Sequence, residues 1–294
     1  MMKIALLVVF LYDDCLKYTH FLRFHGLKVT IMLDTLARTL LAFSNGSVVI
    51  PLIILGFIWL DRNVFYHAAC LVLLGIVVNV ALKVTFQIPL PPALGKDWFA
   101  FPSGHMQLST VLYVWLAYNV AKPVFRLATV ALLVGIGASL IHFDYHNLFD
   151  VLAGSFFALL LIVAYYLPSK KWPQKMPLIV VLIGSLLVFY INWRYTRIPV
   201  HAWMAYYALS GFIISDKLCG RNKALLLSHK VLATFLCVLA LVIIHLVFHH
   251  LLPNNPPAHI YQLEWLVIGL TVPAMVYMGR SIEKQWSSRW KIAT

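Results

Sequence analysis

Residues 148–167 read LFDVLAGSFFALLLIVAYYL, twenty positions with a single charge, Asp150, at the third. Twenty residues in an α-helix extend about 30 Å, the thickness of the hydrocarbon core of a bilayer. Outward from this run, comparable apolar stretches recur near 44–60, 64–82, 105–121, 124–141, 176–192, 199–214, 231–252 and 262–279. The pattern predicts an all-α, polytopic transmembrane helical bundle of about nine spans, within a range of eight to ten. Composition agrees. Of 294 residues 62% are apolar and 11% charged, against about half and about a quarter in an ordinary soluble domain. A soluble enzyme is excluded, as are a disordered chain, a collagen-like repeat and a disulfide scaffold, since the four cysteines lie far apart.

The formal charge of +13 reports topology rather than nucleic-acid binding, because basic residues of membrane proteins collect in cytoplasmic loops. Between the nine predicted spans, fourteen Lys and Arg fall on one face, from Arg62 to Lys291, and four on the other: Lys83, Lys96, Arg194 and Arg197. The C-terminus is therefore expected in the cytoplasm, with 83–104, 142–147, 193–198 and 253–261 on the outer face. The N-terminal 43 residues carry five basic residues against this rule. Residues 4–12, after Lys3, resemble a signal core but are short and lack a small-x-small cleavage site, so they read as uncleaved. Residues 27–43 have apolar positions at helical spacing between regular charges, as in a helix lying at the membrane surface. Loop 168–175, PSKKWPQK, is the best boundary. The expected organisation is 1–43 as an N-terminal interfacial segment, 44–167 as a catalytic core and 168–294 as a four-span segment of unassigned role. No internal repeat occurs.

Ionisable groups near lipid are costly, so a cluster of them points to a site. Three polar motifs fall on the predicted outer face. They are Lys83 followed by Gln87-Ile88-Pro89-Leu90-Pro91-Pro92; Pro102-Ser103-Gly104-His105 ahead of an apolar run; and Ser139 to Asp150, which holds His142, Asp144, His146 and Asp150. Pro-Ser-Gly at a helix start offers a hydroxyl and backbone N–H groups beside the positive end of the helix dipole, a setting for a phosphate. His105 is placed to protonate a leaving oxygen, and Lys83 to neutralise charge. His146 and Asp150, four apart, share a helix face, so the carboxylate orients the imidazole as a nucleophile.

The order Lys, Pro-Ser-Gly-His, then Ser with His-x3-Asp resembles the type 2 phosphatidic acid phosphatase superfamily over about residues 44–167. Its pattern is K-x6-R-P, P-S-G-H and S-R-x5-H-x3-D. Lys83 and Pro91 fit the first motif, Pro102 to His105 the second, and Ser139, His146, Asp150 and Val151-Leu152-Ala153-Gly154 the third. The resemblance implies a helical membrane enzyme in which His146 attacks phosphorus, a phosphohistidine forms, His105 protonates the leaving group and Asp150 supports His146. Lys83, Ser103 and Gly104 would hold phosphate oxygens. It implies lipid phosphates or phospholipids as substrates, the bilayer as setting, and no metal or other cofactor. No sequence feature bears on oligomeric state.

Both arginines of the pattern are leucines here, Leu90 and Leu140, and leucine cannot make the bidentate phosphate contact of arginine. Three consequences follow: a diester substrate with headgroup transfer, as in relatives of sphingomyelin synthase; replacement cations, for which Arg194 and Arg197 on the same predicted face are the candidates; or a lipid-binding or transport protein without catalysis. Ser139, His142 and Asp144 are accessory candidates, with Asp144 expected to cap the next helix. A zinc site built from His142, Asp144 and His146 with His105 and Asp150 is the metal alternative to a metal-free site. Lys83 has a plain alternative as a helix-end lysine extended toward the interface. Trp98, Phe99 and Phe101 read as an interfacial aromatic belt or the lining of a lipid entrance. His201, His249, His250 and His259 read as surface or capping residues.

Overall fold

The computed structural model describes residues 27–91, 95, 97–195, 199–220, 226–250 and 258–293. Residues 4–12, Cys15, Lys96 and Arg197 lie outside this set. Ten helices and no strand occur among the described residues: α1 (Leu27–Ala42), α2 (Gly46–Trp59), α3 (Arg62–Phe86), α4 (Gly104–Val120), α5 (Pro123–His142), α6 (Leu148–Lys171), α7 (Met176–Arg194), α8 (Val200–Cys219), α9 (Leu227–His250) and α10 (Ala258–Ala293). Each of the nine expected spans coincides with one of α2 to α10. The fold class is as expected, but six of these helices are long and apolar enough to cross a membrane: α3, α5, α6, α7, α9 and α10. Residues 32–42 and 46–59, bent by 43° at their junction, together make a seventh. The surface helix expected over 27–43 is thus followed directly by α2, and the pair has the composition of one broken or re-entrant span.

The difference from nine has a physical basis in α4 and α8. α4 has 17 residues and buries Gln107, Ser109 and Thr110 among its neighbours. α8 buries Ser210, Ser215 and Asp216. Helices enclosed by other helices need no lipid-compatible surface, so they carry polar residues that lower their hydropathy.

The chain divides into two units, one holding residues up to 52 with 78–173 and the other 53–77 with 174–294. In the first, α4 and α6 meet where Gly154 faces Ser103, and a methyl group there would stand 2.7 Å from the Ser103 carbonyl oxygen. Leu40 of α1 lies against Gly135 of α5, and the Tyr113 hydroxyl donates to the Phe43 carbonyl at 2.7 Å. Val80, Val84, Val111, Leu112, Ile136 and Leu140 are fully buried there.

In the second unit α8 and α10 pack backbone to backbone. A side chain at Gly211 would collide with the Leu266 carbonyl, and one at Gly269 with that of Ala208. The Ser215 hydroxyl donates to the Leu270 carbonyl at 2.7 Å. Arg62 pairs with Asp216 at 3.0 Å, Trp59 Nε1 donates to Thr234 Oγ1 at 2.8 Å, and Lys230 Nζ donates to the Trp59 carbonyl at 2.9 Å.

Candidate active site

The first unit brings the three polar motifs together at one end of its helices. Ser103 caps α4 in extended conformation, its hydroxyl accepting from the Met106 N–H at 3.4 Å. Its own N–H donates to the Asp150 carbonyl at 3.0 Å, which fastens the start of α4 to the first turn of α6. The side chain is fully buried. Gly104 stands at the first helical position, where an N–H has no partner within the helix, and its open side faces Asn79.

Asn147 caps α6, accepting from the Asp150 N–H at 2.8 Å while Asp150 Oδ2 accepts from the Asn147 N–H at 3.2 Å. This capping box turns Asp150 back over the preceding turn, where the same Oδ2 lies 3.3 Å from His146 Nδ1. A carboxylate only accepts, so Nδ1 carries the proton and Nε2 keeps its lone pair. Both side chains are nearly enclosed, 9% and 4% exposed. Burial, reinforced by the nearby charges of Lys83 and His105, holds the His146 imidazole down to about 4, against the opposing pull of Asp150. His146 is therefore neutral at physiological pH, the state a nucleophile needs.

Lys83 does not extend toward the interface. Its side chain is 6% exposed, and Nζ donates to the carbonyls of Phe99 at 2.6 Å and Ala100 at 2.8 Å. Those carbonyls belong to a short hairpin in which Leu90 N–H donates to Trp98 and Ala100 N–H to Ile88. Lys83 thus braces the segment leading into Pro102 and still lies close enough to act on His146. His105 is exposed at the second position of α4 and also acts on His146 electrostatically.

Other candidates stand apart. The Ser139 hydroxyl donates back to Gly135 at 2.7 Å within α5. His142 Nε2 lies 2.8 Å from Asp34 Oδ1 of α1. Asp144, expected to cap the next helix, instead adopts the left-handed conformation in the intervening turn, and Asn147 makes the cap. The Leu140 side chain is wholly buried, and its carbonyl receives the N–H groups of Tyr145 and His146. Phe101 is buried and stacks on Phe149 at 5.2 Å, so it belongs to the packing beneath the site and not to a belt. Arg194 is exposed at the end of α7, in the second unit. No group of three or more metal-ligating side chains occurs among the described residues; His142 and His146 turn to different carboxylates.

Sequence reading missed Asn79 and Gln107. Asn79 Nδ2 donates to Gln107 Oε1 at 2.8 Å and to the Pro102 carbonyl at 3.3 Å, tying α3 to the start of α4. The signal was present as two amides inside apolar runs.

A family description of the PAP2 superfamily matches residues 63–174. These residues belong to the PAP2 superfamily. The matched stretch contains all three polar motifs and ends one residue beyond the first unit. No curated protein and no solved structure matches the chain. The PAP2 match over these residues points to a phosphatase or phosphotransferase type of fold there, which supports an enzyme, and the six long apolar helices fit a multi-pass membrane protein.

Proposed function

We propose that this protein is an integral membrane enzyme that hydrolyses or transfers a phosphate-containing group of a lipid, through a phosphohistidine, at the outer membrane face. The observation that carries the reading is the enclosed His146–Asp150 pair, its Nε2 lone pair kept free, on the turn joined to the Ser103 helix start.

In the proposed reaction His146 Nε2 attacks phosphorus and the P–O bond to the leaving alcohol breaks. His105 gives that oxygen its proton, and Asp150 stabilises the imidazolium formed. Water, or the hydroxyl of a second lipid, then attacks phosphorus while the P–N bond breaks, which releases neutral His146 and returns a proton to His105. Gly104 N–H, Ser103 and Lys83 stabilise the phosphate oxygens. Nucleophile and acid are both side chains of this protein, so no step calls for a metal. In this reading α2 to α10 each cross the bilayer, and the excess of Lys and Arg in the opposite loops supports an outer face for this end of the first unit and a cytoplasmic C-terminus.

Leu90 and Leu140 favour headgroup transfer as a second reading, because a diester monoanion needs fewer cations than a monoester dianion. The test is turnover by purified protein on lipid monoesters, pyrophosphates and diesters, with and without a lipid alcohol. Free phosphate or headgroup without acceptor marks hydrolysis. Product that requires and contains the acceptor marks transfer. Folded protein inert on every substrate would replace both with a lipid-binding or transport role.

A further inference from the structure

The PAP2 pattern places two arginines on the substrate phosphate, and neither position is basic here. We propose that Arg38, on α1 and outside every motif, supplies a phosphate-binding guanidinium to this site. The inference rests on reading the His146 end of the first unit as a phosphate site.

Three observations converge on Arg38. α1 is pinned to the turn that carries His146: His142 Nε2 and Asp34 Oδ1 stand 2.8 Å apart, and Leu40 lies against Gly135 one turn before Ser139. From that position the Arg38 guanidinium sits over the Phe143 ring, 5.1 Å from its centroid, three residues before the nucleophile. Asp34, its neighbour one helical turn away, is engaged by His142, so the carboxylate nearest in sequence is drawn elsewhere. A guanidinium stacked on an aromatic face keeps its N–H fork available at the edge, and Arg38 is exposed.

No other described basic group supplies a bidentate contact at this end. Among the described side chains of the first unit the others are Lys83, Lys122, Arg126, Lys170 and Lys171. Lys83 already spends two of its three N–H groups on the Phe99 and Ala100 carbonyls. Lys122 and Arg126 sit at the start of α5, and Lys170 and Lys171 at the end of α6. The catalytic turn joins the opposite ends of those helices, about 30 Å away for a helix of twenty residues. Arg38 is the described arginine at the reacting end.

The test uses octylphosphonate, a phosphate dianion mimic with no cleavable P–O–C bond, titrated calorimetrically into the detergent-solubilised full chain. Arg38→Gln is expected to weaken binding about tenfold with an unchanged melting temperature, and Arg38→Lys, which keeps charge but loses the fork, to fall between. A loss below threefold overturns the proposal. Should Arg38→Gln not fold, Arg38→Lys decides by the same threshold. Lipid-phosphate turnover, measured in parallel, separates the two claims. Arg38-dependent binding without turnover sinks the enzymatic reading and keeps Arg38; turnover with Arg38-independent binding does the reverse; wild-type protein that does neither sinks both.

Discussion

His146 owes its chemistry to its surroundings. An imidazole with the ordinary value near 6.5 would be roughly 3% neutral at pH 5, whereas one held at about 4 is roughly nine-tenths neutral there. In the proposed reaction the neutral form attacks, so kcat/KM on a diester substrate, whose own charge is constant in this range, should show no fall as pH drops from 7 to 5 and should fall through pH 4. An acid limb centred on 6.5 would mean that burial does not set the titration of this histidine. Asp150→Asn keeps the shape of the side chain and turns an acceptor of the His146 proton into a group that no longer fixes the tautomer. A fall in kcat of about 10²–10⁴-fold is expected in a steady-state assay. The residues of this pair were legible from spacing alone, because positions four apart meet on a helix. Their geometry was not. His146 precedes α6 rather than riding on it, and contact is made because the Asn147 capping box folds Asp150 back. Asp144 and Asn147 are both short polar residues able to cap, and the sequence does not distinguish them; Asn147 takes the role. The left-handed turn at Asp144 has no distinct sequence signal.

The helices set the site by where they begin. The starts of α4 and α6 are joined by the Ser103 N–H to Asp150 carbonyl bond, and Gly154 permits the approach one turn further along. Gly154→Ala would press a methyl group against the Ser103 carbonyl, Met106 and Gln107. Overpacking of this kind costs about 1–3 kcal/mol, and here it also shifts the helix-start N–H groups proposed to bind phosphate. A lower melting temperature in detergent together with turnover reduced beyond the loss of folded protein is the expected result. Unchanged turnover would show that the α4–α6 spacing is not critical. The sequence displayed α4 and α6 through their apolar runs and polar starts. It did not display α1 as part of this unit, because the 1–43 stretch reads as interfacial by its regular charges. Two of those charges, Asp34 and Arg38, in fact meet His142 and Phe143, beside the turn that carries His146.

For the molecule as a whole, apolar periodicity located every helix from α2 to α10, while the number of crossings is harder to read, since enclosed helices such as α4 and α8 carry polar residues for their neighbours. The proposed topology makes a direct prediction. A single cysteine at Asp144 should react with a membrane-impermeant maleimide from outside intact cells or vesicles, and one at Trp172, at the other end of α6, only after permeabilisation. The reverse pattern would invert the assigned faces. Within the second unit the Arg62–Asp216 pair is largely enclosed. Removing one partner of such a pair leaves a buried charge, at about 3–5 kcal/mol, so Asp216→Asn should lower thermal stability. An unchanged melting temperature would show that the pair adds nothing to the fold. The most direct test of the central claim is to mix the protein with a turnover-competent ³²P-labelled lipid phosphate, quench in base and map the label. The label is expected as an acid-labile phosphohistidine on His146, with both label and turnover lost in His146→Ala. Wild-type turnover in that variant would contradict the claim.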